Sequence, residues 1–173
     1  PVLLLGTAQL GLPYGIVREG APSESDAEVA SILEEAVAHG FGGVDTATAY
    51  GSAPRRLGAF LRGRPELSSW RICTKLIAGD SASSLRDLWE GHTRELGRES
   101  VFALLLHRPC EADRPPVRDF CFELRRTMRV ERLGVSVYEA GELELALRLG
   151  FGEAVELPLN AFSLPRWEGE ASM

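Results

Sequence analysis

Short apolar runs alternate with stretches of helical period along this chain. Residues 2–5 read as a first strand, ending at Gly6-Thr7. A loop with Gly11, Pro13, Gly15, Gly20 and Pro22 follows. Ser25-Asp26-Ala27-Glu28 has the form of a capping box, in which a serine hydroxyl and a glutamate satisfy free N–H groups at a helix start. Behind it Val29, Ile32, Leu33, Ala36 and Val37 fall on one helical face, and Gly40 is placed to end the helix. Gly43-Val44-Asp45 reads as a strand end, and a helix is expected over 55–61. The pattern then predicts a strand at 70–75, a helix at 85–96 and a fully apolar strand at 101–106. A helix within 117–128 follows the breaking run Arg114-Pro115-Pro116. Residues 133–137 are a strand, 142–149 a helix closed by Gly150, and 154–157 a strand. Six strands and five helices thus follow in strict β-α order.

Such alternation predicts a parallel sheet in an α/β fold. A doubly wound fold would carry G-x-G-x-x-G after its first strand. Gly6-Thr7-Ala8-Gln9-Leu10-Gly11 does not match, and no Gly-Lys-Ser/Thr follows to make a P-loop. A (β/α)8 TIM barrel instead places polar functional residues at the C-terminal ends of several strands. Asp45, Lys75, His107 and Ser136 stand at or near such ends. The expected fold is therefore a (β/α)8 TIM-barrel type, incomplete, with about six strands and five helices.

Composition narrows the function classes. The chain has 173 residues, 45% hydrophobic and 25% charged, which suits one domain with a real core. A formal net charge of -6 repels phosphate backbones and acidic membranes, so neither nucleic acid nor membrane is an expected partner. Cys73, Cys110 and Cys121 are odd in number and form no Cys-x-x-Cys pair. No metal site is expected, and a reducing cytoplasm is the expected compartment. Pro1 to Leu5 has no basic region before it and does not read as a signal peptide.

In a barrel, strand ends ring one mouth, so Asp45, Tyr50, Lys75 and His107 would converge there. That group suits hydride addition to a carbonyl, whose oxygen gains negative charge and needs a proton donor and a nearby cation. A lysine ammonium beside the tyrosine favours the phenolate and so is expected to lower its pKa. The aspartate would hold the lysine, the histidine would orient the carbonyl oxygen, and the hydride must come from a cofactor.

Gly43-Val44-Asp45-Thr46-Ala47-Thr48-Ala49-Tyr50-Gly51 resembles the aldo-keto reductase signature. Ile72-Cys73-Thr74-Lys75 resembles that family's lysine strand, and Leu104-Leu105-Leu106-His107 its histidine strand. Leu133-Gly134-Val135-Ser136 and Val155-Glu156-Leu157-Pro158-Leu159-Asn160 resemble the next two strands, and 6–11 the first loop. The resemblance implies that Asp45, Tyr50, Lys75 and His107 are catalytic, with Tyr50 the general acid. It implies NADPH, or less often NADH, held in part by Gly6, Thr7, Asp45, Ser136 and Glu156, and a small-molecule carbonyl substrate. Two positions depart from the family's usual pattern: Val137 follows Ser136 where Asn is common, and Glu156 replaces Gln. A carboxylate at 156 can accept from the nicotinamide amide but cannot donate to it unless protonated.

The resemblance runs to about Phe162, so residues 1–162 are expected to form a partial barrel and 163–173 a polar tail. A full barrel takes about 250 residues. The family's seventh and eighth strands, which supply cofactor phosphate contacts, have no counterpart here. The chain would then be a fragment, a short form, or a protein whose open sheet edges are covered by another copy. Two alternatives to the reductase stand beside it: a redox-free isomerase, dehydratase or cyclase using the same residues with no cofactor, and a non-catalytic binding module. Cys73 reads as a buried strand residue, and His39 and His92 as solvated helix residues. The tryptophans read as packing, and Arg125 to Arg132 as a solvated helix end.

Overall fold

The structure is a computed structural model and describes residues 2–15, 24–77 and 82–160. The elements are β1 (Leu5–Gly6), α1 (Asp26–Ala38), β2 (Gly43–Ala47), α2 (Ala53–Leu61), β3 (Arg71–Leu76), α3 (Ala82–Leu96), β4 (Val101–Leu106), α4 (Pro115–Arg126), β5 (Val130–Ser136), α5 (Ala140–Arg148) and β6 (Ala154–Glu156). Short 3-10 turns lie at Ala8–Leu10, Pro65–Leu67 and Pro109–Asp113. Gly20, Pro22 and the expected tail at 163–173 lie outside the described residues.

Local signals place the helices. Ser25 Oγ accepts from the Glu28 N–H at 3.3 Å, and the Glu28 carboxylate accepts from the Ser25 N–H at 2.8 Å, closing the expected capping box. Val29, Leu33 and Ala36 make the buried face of α1, while Ile32 and Val37 stand outside it. Gly40, at φ 77°, lets the Phe41 N–H turn back to the Ala36 carbonyl and end the helix. Pro115 and Pro116 open α4, where their missing N–H groups are not needed.

All six strands are parallel, in the order β1-β2-β3-β4-β5-β6. A sequential order has no reversal point, which excludes the doubly wound arrangement. The strands form a curled half-barrel with five helices, as an incomplete (β/α)8 barrel would. Side chains alternate along each strand. Val44, Ile72, Leu76, Leu104, Leu106, Leu133 and Val135 join the core with Leu33, Leu57, Leu85, Trp89, Phe120 and Cys121 of the helices. The other set, including Asp45, Lys75, Leu105 and Glu156, faces the inside of the curl.

Several boundaries differ from the sequence reading, among them those of β1, β5 and the end of α4. β1 is two residues long; Val2 and Leu3 ahead of it are exposed, and the Leu3 carbonyl accepts from the Gly42 N–H. β5 begins at Val130, which is buried and pairs with Val101. The arginine run is therefore divided: Arg125 and Arg126 close α4, whereas Arg132 lies in the strand.

Candidate active site

Lys75 is the centre of the site. Strand alternation turns it inward near the end of β3, and its side chain is only 2% exposed. A buried ammonium requires partners, and it has three. Its Nζ donates to Asp45 Oδ1 and Oδ2 at 2.7 and 2.6 Å and lies 2.8 Å from Glu156 Oε2. It also sits 3.4 Å from the Tyr50 hydroxyl and 5.4 Å from that ring's centre.

Asp45 faces inward from β2. Its carbonyl accepts from both the backbone N–H and the hydroxyl of Thr7, each at 2.9 Å, which ties β1 to β2 below the site. Tyr50 lies in the turn between β2 and α2. Its N–H donates to the Ala47 carbonyl and its own carbonyl accepts from Ala53 at the start of α2. Two glycines let the first loop close on this turn. A side chain at Gly11 would overlap the Tyr50 carbonyl, and one at Gly51, where φ is 55°, would overlap the Gly11 carbonyl. Glu156 comes from β6, three strands from Lys75. Neighbouring strands lie about 4.8 Å apart, so a flat sheet would hold these two side chains too far apart to touch. Their contact is a direct consequence of the curl.

The cluster holds one cation and two carboxylates. Burial alone would depress the Lys75 pKa, but the adjacent carboxylates reverse this and hold it above the usual lysine value. Burial pushes Asp45 up to about 6; Lys75 pulls it down, and Glu156 adds to the rise. Both directions follow from two anions sharing one buried cation. Tyr50 is raised as well, first by burial. Lys75 does favour its phenolate, as the sequence suggested, yet burial outweighs that pull and Asp45 and Glu156 oppose it. The expected lowering is thus overturned.

Asp45, Glu156 and Gly6 line one cavity of about 710 Å3 with Cys73, Leu105 and other mainly apolar groups. Cys73 is half-buried there rather than sealed in the sheet, and burial pushes its thiol up to about 11. His107 and Ser136 instead line a neighbouring cavity of about 410 Å3 with Tyr138 and Glu142. His107 Nδ1 is buried with no hydrogen-bond partner among the described residues. The structure therefore joins Asp45, Tyr50, Lys75 and Glu156, and places His107 and Ser136 at the adjoining strand ends. Thr7 serves the β1–β2 connection, and Glu156 is engaged by Lys75. Among the described residues, no group of three His, Cys, Asp or Glu could hold a metal, and no helix is long and apolar enough to cross a membrane.

Sequence reading missed His92. It is buried, with Nε2 2.7 Å from Thr74 Oγ1, rather than solvated. The signal was present: Leu85, Trp89, His92 and Leu96 follow the i, i+4, i+7, i+11 spacing of one helix face.

Comparison with known proteins agrees with this architecture. The Aldo/keto reductase family matches residues 2–159. A protein from Pseudomonas aeruginosa assigned to the aldo-keto reductases has a similar structure, with a TM-score of 0.79 and 27% identity, over 98% of this chain and 69% of that one. An aldo-keto reductase from Bacillus halodurans in its holo form gives 0.73 at 17% identity, over 91% of this chain and 53% of its own. An aldo/keto reductase from Brucella melitensis gives 0.70 at 23%, over 99% and 65%. These last two likenesses concern the fold alone. No curated protein sequence matches. With the family match spanning every described strand and helix, the chain belongs to the aldo/keto reductase family.

Proposed function

We propose that this protein reduces a small-molecule carbonyl to an alcohol, with Tyr50 as the general acid and NADPH as the hydride source. The observation that carries this reading is the contact of the Lys75 ammonium with both the Asp45 carboxylate and the Tyr50 hydroxyl. A carbonyl accepting hydride becomes an alkoxide, and the site supplies a proton donor with a cation behind it. Tyr50 is protonated at neutral pH, and burial raises its pKa further, so the proton is present when needed. Once it is given up, the phenolate lies beside Lys75, which stabilises it. Asp45 keeps that lysine charged and in place.

The residues suit a nicotinamide cofactor in part. The position of a side chain at Gly6 is open space, with no atom within 4 Å, and borders the cavity that Asp45 also lines. Gly6 and Asp45 would flank the ring there, with Ser136, paired with Glu156 in register, as a further polar group at that end. Thr7 and Glu156 are committed elsewhere, to the Asp45 carbonyl and to Lys75. When bound, the cofactor supplies the hydride; the proton, the charge and the orientation come from this chain.

The test is NADPH consumption with a panel of aldehydes. Tyr50→Phe is expected to lower the rate by about 10²- to 10⁴-fold, the usual contribution of a general acid. No consumption by the wild type, or an undiminished rate in the variant, would overturn the proposal.

A further inference from the structure

An ammonium has three N–H donors. Lys75 has four acceptors around it, and three are close: the two Asp45 oxygens at 2.7 and 2.6 Å and Glu156 at 2.8 Å. The Tyr50 hydroxyl, at 3.4 Å, is left with the longest contact. Glu156 therefore takes up an N–H that could otherwise turn to Tyr50. It also changes the local charge. With both carboxylates ionised the cluster carries one positive and two negative charges, so Tyr50 faces a net negative group. Without the charge on Glu156 it would face a balanced pair.

The charged groups acting on the Tyr50 hydroxyl are Lys75 of β3, Asp45 of β2 and Glu156 of β6. The Cys73 thiol, also on the inner face of β3, remains neutral across the physiological range. Glu156 is the partly open member of the cluster, its side chain 42% exposed against 22% for Asp45 and 2% for Lys75. It can thus be changed without leaving a sealed charge behind.

We propose that Glu156 is a positioning residue for the Tyr50 acid: by sharing Lys75 with Asp45 it weakens the hold of that ammonium on the Tyr50 oxygen and so opposes ionisation of the phenol. This deepens the function proposed above and rests on it for its catalytic meaning. The effect on the phenol is a property of the chain alone. Its two parts separate by substitution: glutamine removes the charge but keeps an oxygen that accepts from Lys75, whereas alanine also frees an N–H of Lys75 for Tyr50.

The experiment is an ultraviolet tyrosinate titration of the whole chain, without cofactor or substrate. The chain has three tyrosines, and subtracting the matching Tyr50→Phe curve removes Tyr14 and Tyr138. In Glu156→Gln, Tyr50 is expected to ionise at lower pH than in the wild type. In Glu156→Asp, which keeps the charge, it should remain nearer the wild-type position. Circular dichroism reports folding of each variant. If Glu156→Gln does not fold, Glu156→Ala carries the same expectation. A Tyr50 that ionises at the wild-type pH or higher in a folded neutral variant would overturn the proposal, because a merely structural Glu156 leaves that titration unmoved. Failure of carbonyl reduction with the shift intact would refute the proposed function alone. Where the enzyme is active, the alkaline limb of its rate profile should move with the Tyr50 titration.

Discussion

His92 sets up a measurable dependence of stability on pH. It lies on the buried face of α3, 4% exposed, against Thr74 of β3. Burial lowers its pKa from 6.5 to about 4. Above its unfolded value the ring is neutral in both states and adds no pH dependence. As pH falls from 6.5 towards about 4, the unfolded chain takes up a proton that the folded chain refuses, so stability is lost. Below about 4 the loss is complete. The gap corresponds to about 3 kcal/mol. That is a large share of the roughly 5–15 kcal/mol by which domains are stable.

Asp45 works in the opposite direction over much of the same range. Its pKa is raised from 3.8 to about 6, so its contribution is fully present below 3.8 and is lost as pH rises through about 6. The two slopes partly cancel in the wild type, and only a difference measurement separates them. Urea unfolding of the wild type and His92→Gln provides it, because glutamine does not titrate, can keep a hydrogen bond to Thr74, and leaves Asp45 unchanged. The stability of the wild type relative to the variant should be constant above about pH 7 and fall by about 3 kcal/mol on reaching about pH 4. A flat difference would refute the reasoning, as would an NMR titration of the His92 ring near the ordinary histidine value.

Two further expectations concern packing and the lysine. Gly58 of α2 lies where a methyl group would overlap the Glu95 carbonyl of α3, so Gly58→Ala should destabilise by about 1–3 kcal/mol in urea unfolding. Gly91, within α3, has open space at the same position, and Gly91→Ala should instead stabilise by about 0.5–1 kcal/mol. Equal effects would show that the two helices are not in close contact. Lys75→Met removes the cation from Asp45, Glu156 and Tyr50 together. Carbonyl reduction should fall by about 10²-fold or more, and Tyr50 should titrate at higher pH than in the wild type; an unaltered rate would remove Lys75 from the mechanism.

Much of the fold is legible because its signals are local. The capping box at Ser25 and Glu28, the glycine after α1, the proline pair before α4 and the apolar run of β4 each depend on a few neighbouring residues. The boundaries that moved depend on distant ones. Residues 2–4 are apolar enough for a strand, yet a strand needs a partner, and on its β1 side β2 pairs with Leu5 and Gly6, at Val44 and Asp45. Val130 looked like the end of an arginine-rich helix because its pairing with Val101 is a tertiary fact. His92 differs for another reason: its polar identity points to solvent, whereas its place on an apolar stripe buries it.

The same division runs through the site. Asp45, Tyr50 and Lys75 could be found because strand ends converge in any barrel, and their motifs are contiguous. The direction in which the Tyr50 pKa moves could not, since it depends first on burial and then on charges that include Glu156, three strands from Lys75. Read along the sequence, Lys75 is a cation that acidifies its tyrosine. In the folded chain the curl delivers Glu156 to the same ammonium, and burial raises the cost of forming a phenolate. Both effects oppose the one that spacing alone predicts. The identity of the proposed acid is therefore a matter of motif, whereas its strength is a matter of burial and of how far the sheet has curled.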